Sequence, residues 1–248
     1  MRLQGKTAVV TGGASGFGAG IARKFVAEGA RVIIADLNGG LARDRAAELG
    51  SAAIPVTVNV AENDSVAALA DVVDRDFGHL DILVNNAGVT HLPKPLEEVG
   101  DDEFDRIIGV NTRAIFLAAR HFVPAMKAAG KGAILNIAST GGVSPRPNLT
   151  WYNASKGWAI TATRSMAVEL APFGVRVNAI NPVAGETPLL KSFMGEDSPE
   201  MRAKFLSTIP LGRFSTPEDI GAAACYLCSD EASMVTGVCL EVDGGRCI

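Results

Sequence analysis

Short apolar runs rich in β-branched residues alternate with helical periodicity along the whole chain, and this alternation constrains the fold more than any other feature. Thr7–Thr11 leads into a helical pattern reaching Glu28, and residues 31–35 lead into one reaching Leu49. The rhythm continues through residues 53–58, 80–85, 133–137, 175–180 and 238–242, which makes seven strands. Strands that are apolar throughout are buried on both faces, and strands joined by helices in one sheet run parallel with right-handed crossovers. The expected fold is α/β: a doubly wound seven-stranded parallel sheet with helices on both faces, in a single domain over residues 1–248. In such a sheet ligands bind beyond the carboxyl ends of the strands, so residues that follow strands carry the functional interest.

Composition narrows the classes of function. The 248 residues are 48% hydrophobic and 20% charged with a net charge of −4, which suits a globule with one large core. No basic cluster resembles a nucleic-acid footprint, so no nucleic-acid partner is expected. Neither a signal peptide nor a membrane span is expected, and a cytoplasmic location follows. Cys225, Cys228, Cys239 and Cys247 all fall late and form no spread disulfide framework. Cys225 and Cys228 make a C-x-x-C inside an alanine-rich helical stretch with no second ligand pair, which reads as helix packing. His79, His91 and His121 show neither metal-ligand spacing nor a nucleophile arrangement, so no metal and no hydrolase chemistry is expected.

The first strand ends in Gly12-Gly13-Ala14-Ser15-Gly16-Phe17-Gly18. A glycine-rich turn into a helix presents free backbone N–H groups and a positive dipole end, which is an anion site. Asp36 closes the second strand, where its carboxylate accepts from both ribose hydroxyls of an adenosine and repels a 2′-phosphate. Turn and carboxylate together point to NAD in preference to NADP. Asn38 is the better candidate for the cap of the helix that follows.

Tyr152 and Lys156 are four residues apart in a long helix and share one face. A free phenol titrates near pH 10, about three units or ~4 kcal/mol from a working base at neutral pH. A cation about 4 Å away at an effective dielectric near 20 supplies about that much, so Lys156 with an oxidised nicotinamide is expected to ionise Tyr152. Ser139 follows the strand over residues 133–137, where its hydroxyl reaches a substrate oxygen. Asn111 falls on the apolar stripe marked by Phe104, Ile107, Ile108, Ile115 and Leu117, which predicts a buried amide that needs partners and suits it to hold a water for proton relay to Lys156.

Taken in order, Thr11 to Gly18, Asp36, Asn85 to Gly88, Asn111, Ser139, Tyr152 and Lys156 resemble the short-chain dehydrogenase/reductase family, in its short Rossmann-like branch, over essentially the whole chain. The resemblance implies that Ser139 and Tyr152 hold the substrate oxygen, Lys156 binds the nicotinamide ribose and Asn111 supports the relay. It implies a cofactor path over Gly12, Ser15, Gly16, Phe17 and Gly18, then Asp36 and Leu37, Asn59 and Val60, Asn86, Ala87 and Gly88. The path ends at Tyr152, Lys156, Pro182, Val183, Gly185 and Thr187. It also implies a homotetramer. Asn59-Val60 replaces the family's usual Asp-Val beside the adenine, and Asn181-Pro182-Val183-Ala184-Gly185 replaces its Asn-Pro-Gly, which moves the glycine. Residues 183–211, rich in glycine and proline around the amphipathic piece 200–206, read as a mobile substrate lid.

The expected activity is hydride transfer between NAD(H) and a small-molecule secondary alcohol or ketone. A 3-oxoacyl-thioester reductase and a catalytically silent NAD-binding regulator are the alternatives. Arg146, with His91 and Lys94 on another loop, suggests a polar or anionic substrate such as a hydroxy acid or sugar derivative.

Overall fold

The computed structural model describes residues 1–248. A seven-stranded sheet forms from β1 (Thr7–Thr11), β2 (Arg31–Asp36), β3 (Ala53–Thr57), β4 (Ile82–Asn85), β5 (Gly132–Ile137), β6 (Val175–Pro182) and β7 (Cys239–Val242). Its order is β3-β2-β1-β4-β5-β6-β7, and every pairing is parallel. The direction of winding reverses between β1 and β4, so the crevice that a doubly wound sheet offers to a ligand opens above those two strands.

The connecting helices are α1 (Gly16–Ala27), α2 (Gly39–Leu49), α3 (Asn63–Phe77), α4 (Asp101–Ile108), α5 (Ala114–Ala129), α6 (Thr150–Leu170), α7 (Leu190–Met194), α8 (Pro199–Leu206) and α9 (Pro217–Cys228). Alternate residues of a strand face opposite sides, and the core divides accordingly. Ala8 and Val10 of β1 join Phe25 of α1 and Ile220 and Ala224 of α9 on one side. Val9 joins Val66 and Leu69 of α3, Leu117 and Phe122 of α5 and Leu170 of α6 on the other. Cys225 and Cys228 are free thiols buried in the first of these cores, and burial pushes the Cys228 thiol up to about 12. No helix is long and apolar enough to cross a membrane.

The differences from the sequence reading lie at element ends. β2 closes at Asp36, as expected, where Asp36 pairs with Thr57. β6 continues to Pro182 because Asn181 and Pro182 pair with β7. β4 begins at Ile82, two residues later than expected, since Leu80 precedes the paired register with β1. The segment over residues 183–211 holds two helices, where the sequence predicts one amphipathic piece. Val183, Leu190, Met194, Phe205, Ile209 and Phe214 gather into a small core of their own. Asn38 caps α2 through its side-chain oxygen, which accepts from the Leu41 amide at 3.1 Å.

Candidate active site

A cleft of about 470 Å³ runs across the carboxyl ends of the strands and is lined by 35 residues. At one end lies the turn from β1 into α1. A Cβ on Gly18 would stand 2.1 Å from the Gly12 carbonyl oxygen, so only glycine lets α1 start this close to the strand. Asn86, at the end of β4, donates through Nδ2 to the carbonyls of Thr11 (2.8 Å) and Gly12 (3.1 Å) and clamps the two strand ends together. The first closed helical bond runs from the Ala19 amide to the Ser15 carbonyl, and the Ser15 side chain caps nothing. The amides of Gly16, Phe17 and Gly18 therefore take no acceptor from the chain, which is the arrangement that receives a phosphate.

Asp36 lines the same cleft. One of its oxygens accepts from the Ala14 amide at 3.1 Å and the other from Asn38 at 3.0 Å. A carboxylate has about four lone-pair sites, so each oxygen keeps capacity for a hydroxyl in the cleft. Leu37 is largely exposed beside it.

Tyr152 and Lys156 sit in the first two turns of α6, and both are buried. Burial pushes the Tyr152 phenol up to about 12, against a smaller opposing effect of the Ser139 hydroxyl. Burial also pushes the Lys156 ammonium down to about 8. Lys156 Nζ lies 5.9 Å from the Tyr152 ring centroid and donates to the Ile137 carbonyl at 2.9 Å. Desolvation is thus the leading influence on the phenol, and the Ser139 hydroxyl opposes it. The Ser139 oxygen accepts from the Gly141 amide at 3.0 Å, which leaves its O–H to be donated into the cleft.

Asn111 lies in a π-helical turn, Gly109–Arg113, between α4 and α5. Its Oδ1 accepts from the Val89 amide, and its Nδ2 donates to the Val89 carbonyl and to Ser155 Oγ, each at 2.9 Å. The side chain thus ties the loop after β4 to α6. Gly88 separates it from Lys156: a Cβ there would lie 3.3 Å from Lys156 Nζ and 3.5 Å from Asn111 Oδ1. Asn111 and Gly18 stand behind the cleft wall, while the other sequence-predicted residues, from Gly12 to Thr187, line it.

A family model described as enoyl-(acyl carrier protein) reductase matches residues 12–246. The chain is 48% identical, over 99% of both chains, to 4-formylbenzenesulfonate dehydrogenase TsaC1/TsaC2 of Comamonas testosteroni. It is 40% identical to cis-4-hydroxycyclohexanecarboxylate dehydrogenase of Sinomonas cyclohexanicum, over 97% of this chain and 96% of that one. The chain belongs to the short-chain dehydrogenase/reductase family. A crystal structure of 3-ketoacyl-(acyl-carrier-protein) reductase from Brucella melitensis, complexed with NADH, superposes with a TM-score of 0.95 at 48% identity, covering 99% of this chain and 100% of that one.

Two features of this short-chain dehydrogenase depart from the usual pattern, and both have a local explanation. Asn59 lines the cleft, but its Oδ1 accepts from the Ala61 amide (3.1 Å) and its Nδ2 donates to Glu62 (2.8 Å), so it first of all builds the turn into α3. A Cβ on the displaced Gly185 would lie 2.3 Å from the Phe17 ring and 2.8 Å from Ser215 Oγ. The glycine admits the Phe17 ring from α1, a reason that the sequence reading did not include.

The other end of the cleft corrects the list of basic residues. His91 is buried away from it, with Nδ1 against the Leu92 carbonyl at 2.7 Å, and Lys94 is paired with Glu103 at 2.8 Å. Only Arg146 of the three lines the cleft. Phe193 on α7, not predicted, packs edge-on against Tyr152 at 5.0 Å between centroids. The spacing of Leu190, Phe193 and Met194 carried that helical signal, in a stretch too short to stand out. No group of three or more His, Cys, Asp and Glu side chains is placed to hold a metal ion.

Proposed function

We propose that this enzyme oxidises an alcohol to its carbonyl compound with NAD, with Tyr152 as the base. The observation that carries the reading is one cleft that holds an open phosphate cradle, a ribose-facing carboxylate and a buried Tyr152, Lys156 and Ser139 set. Bound NAD supplies the hydride acceptor and a positive charge that adds to that of Lys156. Ser139 donates its O–H to the substrate oxygen and orients it toward Tyr152, which takes the hydroxyl proton. Lys156 holds the nicotinamide ribose and stabilises the phenolate. From a pKa of about 12, ionisation near pH 8 needs four units, or about 5 kcal/mol. An ammonium about 6 Å away gives ~2.8 kcal/mol at an effective dielectric of 20, so roughly half the shift comes from Lys156 and the rest accompanies cofactor binding.

Asp36 favours NAD over NADP, in keeping with the NADH in the Brucella reductase. The substrates named for the Comamonas and Sinomonas relatives are ring compounds that carry a sulfonate or carboxylate, and a ring substrate suits the phenylalanine-lined end of this cleft. The segment over residues 183–211 acts as the lid, with Phe193 closing on Tyr152. Phe116 of α5 and Trp158 of α6 leave large apolar side chains exposed, which favours a homotetramer built on those helices. The free thiols agree with a cytoplasmic enzyme. The Brucella relative's name supports a second reading, 3-oxoacyl-thioester reduction.

The test follows NADH formation with a panel of ring alcohols, and NADH consumption with acetoacetyl thioester. Tyr152→Phe is expected to lower kcat 10²- to 10⁴-fold, as the loss of a general base does, with NADH still bound. Unchanged turnover in that variant would refute the base assignment. A wild-type protein that binds NADH and turns over neither class would be a silent NAD-binding regulator.

A further inference from the structure

Of the 35 residues that line the cleft, the ionised side chains are Asp36 at the adenosine end, Lys156 at the centre and Arg146 beyond it. No carboxylate lies near the last of these. Some arginines near this segment are neutralised in pairs, Arg202 with Asp197 and Arg213 with Asp219, whereas Arg146 has no acidic partner. Of the five N–H donors of its guanidinium, a single one is given to a protein acceptor, Thr208 Oγ1 at 2.7 Å. The Phe205 ring holds the group in place at 4.3 Å. Asn153, next to Tyr152, anchors the Arg146 backbone by donating to its carbonyl at 2.8 Å.

Behind Arg146 stands a second cation. Arg246, from the C-terminal tail, donates to Ser144 Oγ at 3.1 Å, and Ser144 lines the cleft. Its Nε is buried with no partner, and no carboxylate pairs with it. Partial burial, and after it the charge of Arg246, press the Arg146 guanidinium downward, so two like charges stand together at this end of the cleft. Two such charges side by side favour an anion between them. Phe193 covers Tyr152 and Phe205 covers Arg146, and the two phenylalanines pack in one cluster that bridges the base and the cation.

We propose that Arg146, backed by Arg246 through Ser144, is the specificity site for a monoanionic group on the substrate, and that this substrate is a ring alcohol with a carboxylate or sulfonate remote from the reacting carbon. The inference rests on the oxidation proposed above and is tested apart from it. The kcat/KM of the wild-type enzyme with NAD is compared for cis-4-hydroxycyclohexanecarboxylate and cyclohexanol, and for 4-(hydroxymethyl)benzenesulfonate and benzyl alcohol. The anionic member of at least one pair is expected to be favoured at least tenfold, and which pair responds identifies carboxylate or sulfonate. Arg146→Gln should reduce that ratio ten- to a hundredfold, and Arg246→Gln, outside the cleft wall, several-fold. Inhibition by benzenesulfonate or cyclohexanecarboxylate, competitive with the alcohol, should weaken in parallel, a readout that a general loss of activity would not move. If Arg146→Gln does not fold, Arg246→Gln and the wild-type inhibition carry the test. Turnover of neutral alcohols with no preference for the anions, or a preference that survives both substitutions, overturns the anion site alone. No turnover of any alcohol, with NADH bound, overturns the underlying reading instead.

Discussion

Replacing Lys156 by methionine separates two roles that its position allows, holding the nicotinamide ribose and lowering the energy of the Tyr152 phenolate. The ammonium is 5.9 Å from the Tyr152 ring centroid. Taking that as the separation of charges, an effective dielectric of 20 gives ~2.8 kcal/mol, or about two pKa units. Between pH 6 and 7 the ammonium keeps its proton, since it titrates at about 8, and the phenol stays protonated because burial places it at about 12. In that window the fraction of base rises tenfold per pH unit, and alcohol oxidation should rise with it. Lys156→Met should move the limb of the kcat/KM profile upward by about two units. At pH 7 this is about a hundredfold loss, recovered in part as the pH is raised. Lys156→Arg keeps the charge and should keep the limb closer to its place. The assay is NADH absorbance with saturating NAD from pH 6 to 10, with thermal unfolding to confirm that the variant is native. A Lys156→Met profile that levels off at the wild-type pH with a uniformly lower rate would refute the electrostatic role and leave only positioning.

Three further outcomes follow from named contacts. Gly185→Ala puts a methyl carbon 2.3 Å from the Phe17 ring, and the resulting overpacking, about 1–3 kcal/mol, should weaken NADH binding in a fluorescence titration; unchanged affinity would mean that the turn after β6 does not shape the cofactor site. Asp36→Ala should lower the NAD/NADP ratio of kcat/KM by at least tenfold, while an unchanged ratio would remove that carboxylate from cofactor choice. Lys156 titrates lower in the fold, at about 8, than its ordinary 10.5, so the unfolded chain binds more protons between those values and stability rises with pH across them. Wild type should therefore gain stability relative to Lys156→Met from pH 8 to 10 in denaturant unfolding, by up to about 3 kcal/mol; a constant difference would show that the ammonium is not desolvated.

The sheet was legible because a parallel strand covered on both faces has no polar side to hide its apolar run. Val9 and Val10 serve opposite cores, yet both are apolar, so Thr7–Thr11 stands out as one block. Strand ends were less legible because pairing, not composition, sets them. Asp36 and Asn181 are polar residues kept in the sheet by partners in β3 and β7. The second helix in the segment over residues 183–211 was not legible for a related reason. Leu190, Met194 and Phe205 make a core only when Ile209 and Phe214 close on them, and no five-residue window reports that closure.

Arrangements made by neighbours in sequence were readable, and arrangements assembled from distant segments were not. Tyr152 and Lys156 share a helical face whatever the rest of the chain does, and the glycine turn must precede α1 wherever the sheet places it. The substrate end of the cleft is different, since Arg146 follows β5, Phe193 and Phe205 follow β6, and Arg246 lies near the C-terminus. Arg146 reaches Thr208 across 62 residues, and Arg246 reaches Ser144 across 102. A sequence window assigns equal weight to Lys94 and Arg146, and only the fold reveals that Glu103 neutralises the first while the second faces the cleft without an acid. The glycine turn and the Tyr152 and Lys156 face are therefore written locally, and the unpaired charge at Arg146 is written in the pairings that folding leaves incomplete.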